Sequence, residues 1–237
     1  MLFTEDNGVL EMLSPKAKNI IKNNLPFKSD KELLCFFGDG TYLINKNDYY
    51  EICINNNTEV NCFDEKFLHE FFHCIQYEEK FPHLNETDKK YNELATELSS
   101  FVLDLDVGDR LVTNGYARNS TFDESIIESF RLLEYVKIIN DNKTFTSLID
   151  AMGQGGILAH LKYFDDNNDK VEDLITKTKN IRPIIYKYFK IMYKGIKMYS
   201  HNSPKDVYKI YKFLLRELNL QNYLSIRWVC LFIKVFS

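Results

Sequence analysis

The apolar positions of this chain change period part-way along it. Before residue 55 they come in short runs and alternations. Leu33–Phe37 and Thr41–Ile44 are two such runs, and Gly38-Asp39-Gly40 between them predicts a hairpin. Tyr50, Ile52 and Ile54 alternate with Tyr49, Glu51 and Cys53, the period of a half-buried strand that Asn55-Asn56-Asn57 ends. Ahead of these, Ser14-Pro15 reads as the cap and first residue of a helix closing near Asn24.

From Asp64 the period becomes helical. Asp64 suits an N-cap, and Leu68, Phe71, Phe72 and Ile75 form an apolar stripe that Phe81-Pro82 closes. A second helix is expected from about Asp88 to Asp104, burying Leu94, Leu98 and Phe101. Residues 105–120, with Gly108 and Gly115, read as loop. Thr121 with Glu124 forms a capping box for a third helix carrying Ile126, Phe130 and Leu133. Gly153-Gln154-Gly155-Gly156 reads as a break, and Asp165–Asp169 as a further loop. Ser203-Pro204 with Asp206 starts an amphipathic helix that turns Val207, Ile210, Tyr211, Leu214 and Leu218 inward. The expected class is therefore α+β and mostly helical, with a small antiparallel sheet in residues 33–55 and a helical C-terminal region.

Composition adds one asymmetry. The 237 residues are 45% hydrophobic and 27% charged, an ordinary globular balance. Residues 1–169 hold 16 basic and 30 acidic side chains, whereas residues 170–237 hold 14 basic and 4 acidic ones. We expect an acidic domain over 1–169 and a basic helical region over 170–237 packed on it. A basic surface for nucleic acid or an acidic partner is the sharper alternative. The opening residues carry Glu5, Asp6 and Glu11 where a secretory signal would be basic and then apolar. Cys35, Cys53, Cys62, Cys74 and Cys230 form an odd set without a C-x-x-C pair, as expected of reduced thiols in a cytoplasmic protein with no membrane span.

The chemistry concentrates in His69-Glu70-Phe71-Phe72-His73, an H-E-x-x-H motif. Composition alone gives about 0.01 such matches in a chain of this make-up, so chance is a poor account of it. On a helix, residues four apart share a face, and two imidazoles there can reach one ion. Zinc suits two neutral imidazoles and a carboxylate with one open position, and Glu70 is placed to take a proton from water there. Twenty residues beyond His73 comes Tyr91-Asn92-Glu93-Leu94-Ala95-Thr96-Glu97, whose two glutamates lie four apart on one helical face.

This pattern resembles the gluzincins, the thermolysin-type zinc peptidases, over about residues 49–101. Their H-E-x-x-H is followed by a glutamate on a second helix, often within Asn-Glu-x-x-Ser-Asp. Asn92-Glu93-Leu94-Ala95-Thr96-Glu97 is similar, with Thr for Ser and Glu for Asp. The resemblance implies a zincin-like domain, one zinc ion held by His69, His73 and Glu93, Glu70 as general base, and Glu97 supporting a ligand histidine. It also implies a peptide or protein substrate laid along the strand Tyr50–Ile54 as an edge. A residue to steady the oxyanion is not marked by any motif; Tyr77, His83, Tyr116, His160 and His201 are the candidates. Two other readings stay open at this point: a zinc-binding but inert interaction module, and a protein that binds nucleic acid or an acidic partner through its basic end.

Overall fold

A computed structural model describes residues 3–5, 8–116, 145–165 and 168–228. The expected helix at Thr121–Leu133 and the apolar end from Val229 lie outside the described residues. The described elements run β1 (Phe3–Glu5), α1 (Val9–Met12), α2 (Pro15–Asn24), β2 (Glu32–Gly38), β3 (Tyr42–Asn45), β4 (Tyr49–Asn55), α3 (Val60–Glu78) and β5 (His83–Glu86). They continue with a 3-10 turn (Lys89–Tyr91), α4 (Asn92–Thr113), α5 (Phe145–Phe164), α6 (Asp169–Ile181), α7 (Pro183–Met198), α8 (Pro204–Glu217) and β6 (Leu224–Arg227). The fold is α+β and mostly helical, as the periodicity implies. Of the described residues, 3–5, 8–81 and 107–116 form one compact unit, and 82–106, 145–165 and 168–228 form another. The expected boundary near residue 169 falls inside the second unit, at the first residue of α6.

In the first unit four strands make one sheet in the order β1-β2-β4-β3. β1 and β2 run parallel, β2 and β4 run parallel, and β3 and β4 are antiparallel. The sheet over 33–55 is thus mixed, and the small wholly antiparallel sheet is the β5–β6 pair of the second unit. The expected hairpin at Gly38-Asp39-Gly40 is not formed, because β4 pairs with both β2 and β3. The reversal is instead at Lys46–Tyr49, where the Lys46 N–H donates to the Tyr49 carbonyl at 2.9 Å. Neither Gly38 nor Gly40 is in the left-handed region. Gly38 is there for room: a Cβ on it would stand 2.6 Å from Cys53 Sγ. β4, expected as an edge for an extended substrate, has both of its edges occupied, so it has no free ladder to offer.

Helix α3 supplies more of the first unit's core than any other element. Phe63, Phe67 and Phe71 are fully buried with Leu33, Tyr50, Ile52 and Ile54, and Val107 and Leu111 at the end of α4 join the same cluster. α3 starts at Val60, four residues before the expected cap. Asp64 is used otherwise: it accepts from the Ser14 N–H at 2.9 Å, from the Ser14 hydroxyl, and from the Tyr116 hydroxyl at 3.1 Å. Ser14 in turn caps α2 by accepting from the Ala17 N–H. Buried Glu78 accepts from the Tyr50 hydroxyl at 2.6 Å and from Ser29, and burial pushes the Tyr50 phenol well above its ordinary pKa.

Two expected interruptions are helical. Residues 105–113 continue α4, which ends only where Gly115 takes φ 70°. The Gly153–Gly156 segment lies in the middle of α5. These glycines permit close helix packing. A Cβ at Gly155 would stand 2.8 Å from the Phe189 backbone nitrogen and 2.9 Å from Tyr188 Cβ, both on α7. α8 begins as expected, with Ser203 accepting from the Asp206 N–H, and buries Val207, Ile210, Tyr211 and Leu214. Leu218 is half-buried at its C-cap.

Gly155→Ala is expected to destabilise the protein by about 1–3 kcal/mol through overpacking against a backbone, despite the better helix propensity of alanine. The midpoint of urea unfolding checks this; an unchanged or raised midpoint would show that α5 and α7 can move apart freely.

Candidate metal centre

The rotation of α3 decides where its polar side chains go. Phe67 and Phe71 face the core at 0% exposure, and each histidine lies two residues further on, about 200° around the helix. His69 and His73 are therefore half-buried on the opposite flank, with Glu70 between them, also half-buried. Their rings lie 4.9 Å apart at 79°, and His69 Nε2 is 3.3 Å from His73 Nε2. Two donors each about 2.0–2.1 Å from one ion, at a tetrahedral angle, stand about 3.3–3.4 Å apart. The pair thus already spans one edge of a zinc coordination tetrahedron.

The opposite nitrogen of His73 is also engaged. Nδ1 lies 2.9 Å from Gln76 Oε1, and Gln76 is itself 1% exposed. A carbonyl oxygen can only accept, so Nδ1 carries the hydrogen and Nε2 presents its lone pair. An outer partner that fixes the tautomer in this way is the usual companion of a ligand histidine. The family resemblance implies such support from Glu97; Gln76 is not marked by it. Its signal was present, since Gln76 follows His73 by three residues on the same helix.

Among the described residues, His69, His73 and Asp104 are the group whose ligand atoms could hold a metal ion. One ring nitrogen of each histidine and one carboxylate oxygen all lie within 4.8 Å of one another. Asp104 is on α4, one turn before Val107, which is buried in the core beside α3. Glu93, the carboxylate that the family resemblance implies, is not in the group. It precedes Asp104 by eleven residues, about 16 Å along the helix axis, and is exposed. Glu97 precedes Asp104 by seven residues, about 10 Å. All three share one face of α4, because seven and eleven residues are close to two and three turns. Burial, and then the charges of Glu93, Asp104 and Asp150, raise the Glu97 carboxyl above its ordinary range.

Glu97 and Asp104 both line a cavity of about 120 Å³ within the second unit. Phe101, Met152, Ile157 and Met192 give it apolar walls, and Gly153 and Gly156 keep it open. A Cβ at Gly153 would come within 3.3 Å of Glu97 Oε2. Of the residues considered for an oxyanion, His160 lines the same cavity, but its Nε2 lies 2.6 Å from the Phe101 carbonyl oxygen and its ring stacks on Phe101. Burial lowers its pKa, so the neutral ring donates that hydrogen bond. The Tyr116 hydroxyl is held by Asp64, and Tyr77 stacks on Tyr50. His83 lies in β5, and His201 is buried with its ring edge-on to Tyr163.

No helix among the described residues is long and apolar enough to cross a membrane. No protein-family model, no curated protein and no solved structure matches this chain.

Two substitutions separate the carboxylates. Asp104→Asn is expected to weaken zinc binding more than Glu93→Gln, measured by competition with a chromophoric chelator; the reverse order would return the ligand role to Glu93. Gln76→Leu, which removes the tautomer lock without touching a ligand, is expected to weaken zinc about 10–100-fold. Unchanged affinity in that variant would leave Gln76 only a packing role.

Proposed function

We propose that this chain is a zinc-dependent hydrolase that cleaves peptide bonds at the α3 motif. The observation that carries the reading is the 3.3 Å separation of the two Nε2 atoms within H-E-x-x-H. That spacing suits a shared ion better than it suits two independent surface histidines. His69, His73 and Asp104 are the proposed ligands, a departure from the gluzincin pattern in the third position. When bound there, zinc supplies a Lewis acid for a carbonyl and brings the pKa of water down to about 7.

The remaining steps belong to the chain's own side chains. Glu70 takes the proton of the attacking water as its oxygen bonds to the carbonyl carbon. It then returns that proton to the amine as the C–N bond breaks, so the carboxylate ends as it began. Gln76 holds His73 in the ligating tautomer throughout. Cys35, Cys53, Cys62 and Cys74 are free thiols, which supports a reducing, cytoplasmic setting.

Glu70→Gln is the decisive variant, because the amide keeps the volume and loses the basicity. It is expected to hold one zinc per chain and to cleave an unstructured protein such as casein about 10²–10⁴-fold more slowly than the parent. Equal cleavage by the two proteins would remove Glu70 from the chemistry. Zinc binding without cleavage by either would favour an inert site that serves as an interaction module.

A further inference from the structure

The second unit carries a run of chain with one sign of charge. Between Asp173 and Asp206 there is no acidic residue, while eight Lys and Arg occur. The fold sorts these cations into lines. On α7, Lys187, Lys190, Lys194 and Lys197 recur at steps of three and four residues, and all four are exposed. On α8, Lys205, Lys209, Lys212 and Arg216 recur at steps of four and three, and all four are exposed. Each set is one stripe of its helix.

The two stripes meet. Lys194 from α7 and Arg216 from α8 both lie over the ring of Phe213, each 5.8 Å from its centroid. Gly195 allows the approach, since a Cβ there would stand 3.0 Å from Phe213 Cδ1. Beside this crossing is a groove of about 470 Å³ whose lining includes Tyr199, Lys209, Lys212, Phe213, Arg216 and Gln221. Aromatic rings alternate with the cations along α7 as well. Lys190 lies 5.2 Å from the centre of Tyr186, and Lys197 lies 5.7 Å from that of Tyr193.

We propose that the α7–α8 face binds single-stranded nucleic acid, with phosphates along the two cation stripes and a base on Tyr199 in the groove. The chemistry of the face favours this partner over an acidic peptide. Cations alone would serve either one, but alternating flat rings add a stacking surface that a base can use and a carboxylate cannot. The groove lies within the range of about 300–1,000 Å³ that encloses a small organic group, which suits one extruded base and its sugar rather than a duplex. Local carboxylates touch only part of the stripes: Asp206 reaches Lys209 at 2.7 Å, and Glu217 reaches Arg216 at 2.8 Å. This face is independent of the zinc motif, and its test does not depend on hydrolysis.

The experiment is fluorescence anisotropy of the full chain with a 5′-labelled oligothymidylate of about 20 nucleotides. Four phosphate contacts would give a log–log salt slope of about −3, so binding should weaken about 50-fold between about 50 and 200 mM salt. The paired substitutions Lys190→Glu and Lys212→Glu should cut affinity at least about tenfold and flatten that slope by about one unit or more. Lys187→Gln with Lys197→Gln is a milder second pair and should act in the same direction; circular dichroism verifies that each variant is folded. Tyr199→Ala should weaken the oligonucleotide about fivefold or more while leaving heparin binding unchanged, since heparin has no bases to stack. Absence of binding at low salt would overturn the proposal, as would folded charge variants that bind like the parent. Equal competition by polyglutamate, or loss of heparin binding in Tyr199→Ala, would also overturn it in favour of a general polyanion surface.

Discussion

Burial of Phe63, Phe67 and Phe71 is the constraint on which the rest of the candidate site depends. Each of these side chains removes a large apolar surface from water, worth about 1.5–3 kcal/mol when complete. Together they set the rotation of α3 about its own axis. No rotation of that helix could expose the histidines further without also exposing a phenylalanine. The placement of His69 and His73 on one flank of the helix is thus a by-product of core packing. Gln76, buried on the same helix, then needs no flexible loop to hold His73.

The sequence made the helix, its motif and its rotation legible, because a 3.6-residue period states which residues share a face. Ser14-Pro15 and Ser203-Pro204 were equally legible, since a cap is a local bond between a side chain and an amide three residues on. Strand order was not. Gly38-Asp39-Gly40 carries the composition of a turn, yet the pairing partner of β2 comes from beyond β3, and no local signal states which of two strands will sit beside a third. The Gly153–Gly156 segment misled for a related reason. Glycine in a helix costs about 1 kcal/mol of propensity per residue, which argues for a break when the chain is read alone. Contact with the α7 backbone at Gly155 outweighs that cost, and such contact is visible only in the fold.

The third carboxylate shows the same division in finer detail. Glu93, Glu97 and Asp104 lie on one line of α4, so periodicity groups them and does not rank them by height along the helix. The Asn92-Glu93 context drew the reading to the first of the three. The helix was also expected to end at Asp104, which would have left that carboxylate at a frayed terminus. The helix instead continues through Val107 and Leu111, so Asp104 is not at its end.

The charge asymmetry also gains meaning only once the helices are in place. A basic segment whose cations are scattered around its helices is a solvated surface, with each charge in its own water. Here the spacing of three and four residues sets like charges beside one another on both α7 and α8, an arrangement that costs a few tenths of a kcal/mol per adjacent pair. Alternating Lys with Glu on these exposed positions would relieve the repulsion and add stabilising pairs, and nothing in the packing of α7 forbids it. Stability alone therefore gives no reason for 32 consecutive residues without a carboxylate. A polyanion laid along the stripes supplies one, because it converts mutual repulsion into attraction and releases counterions as it binds.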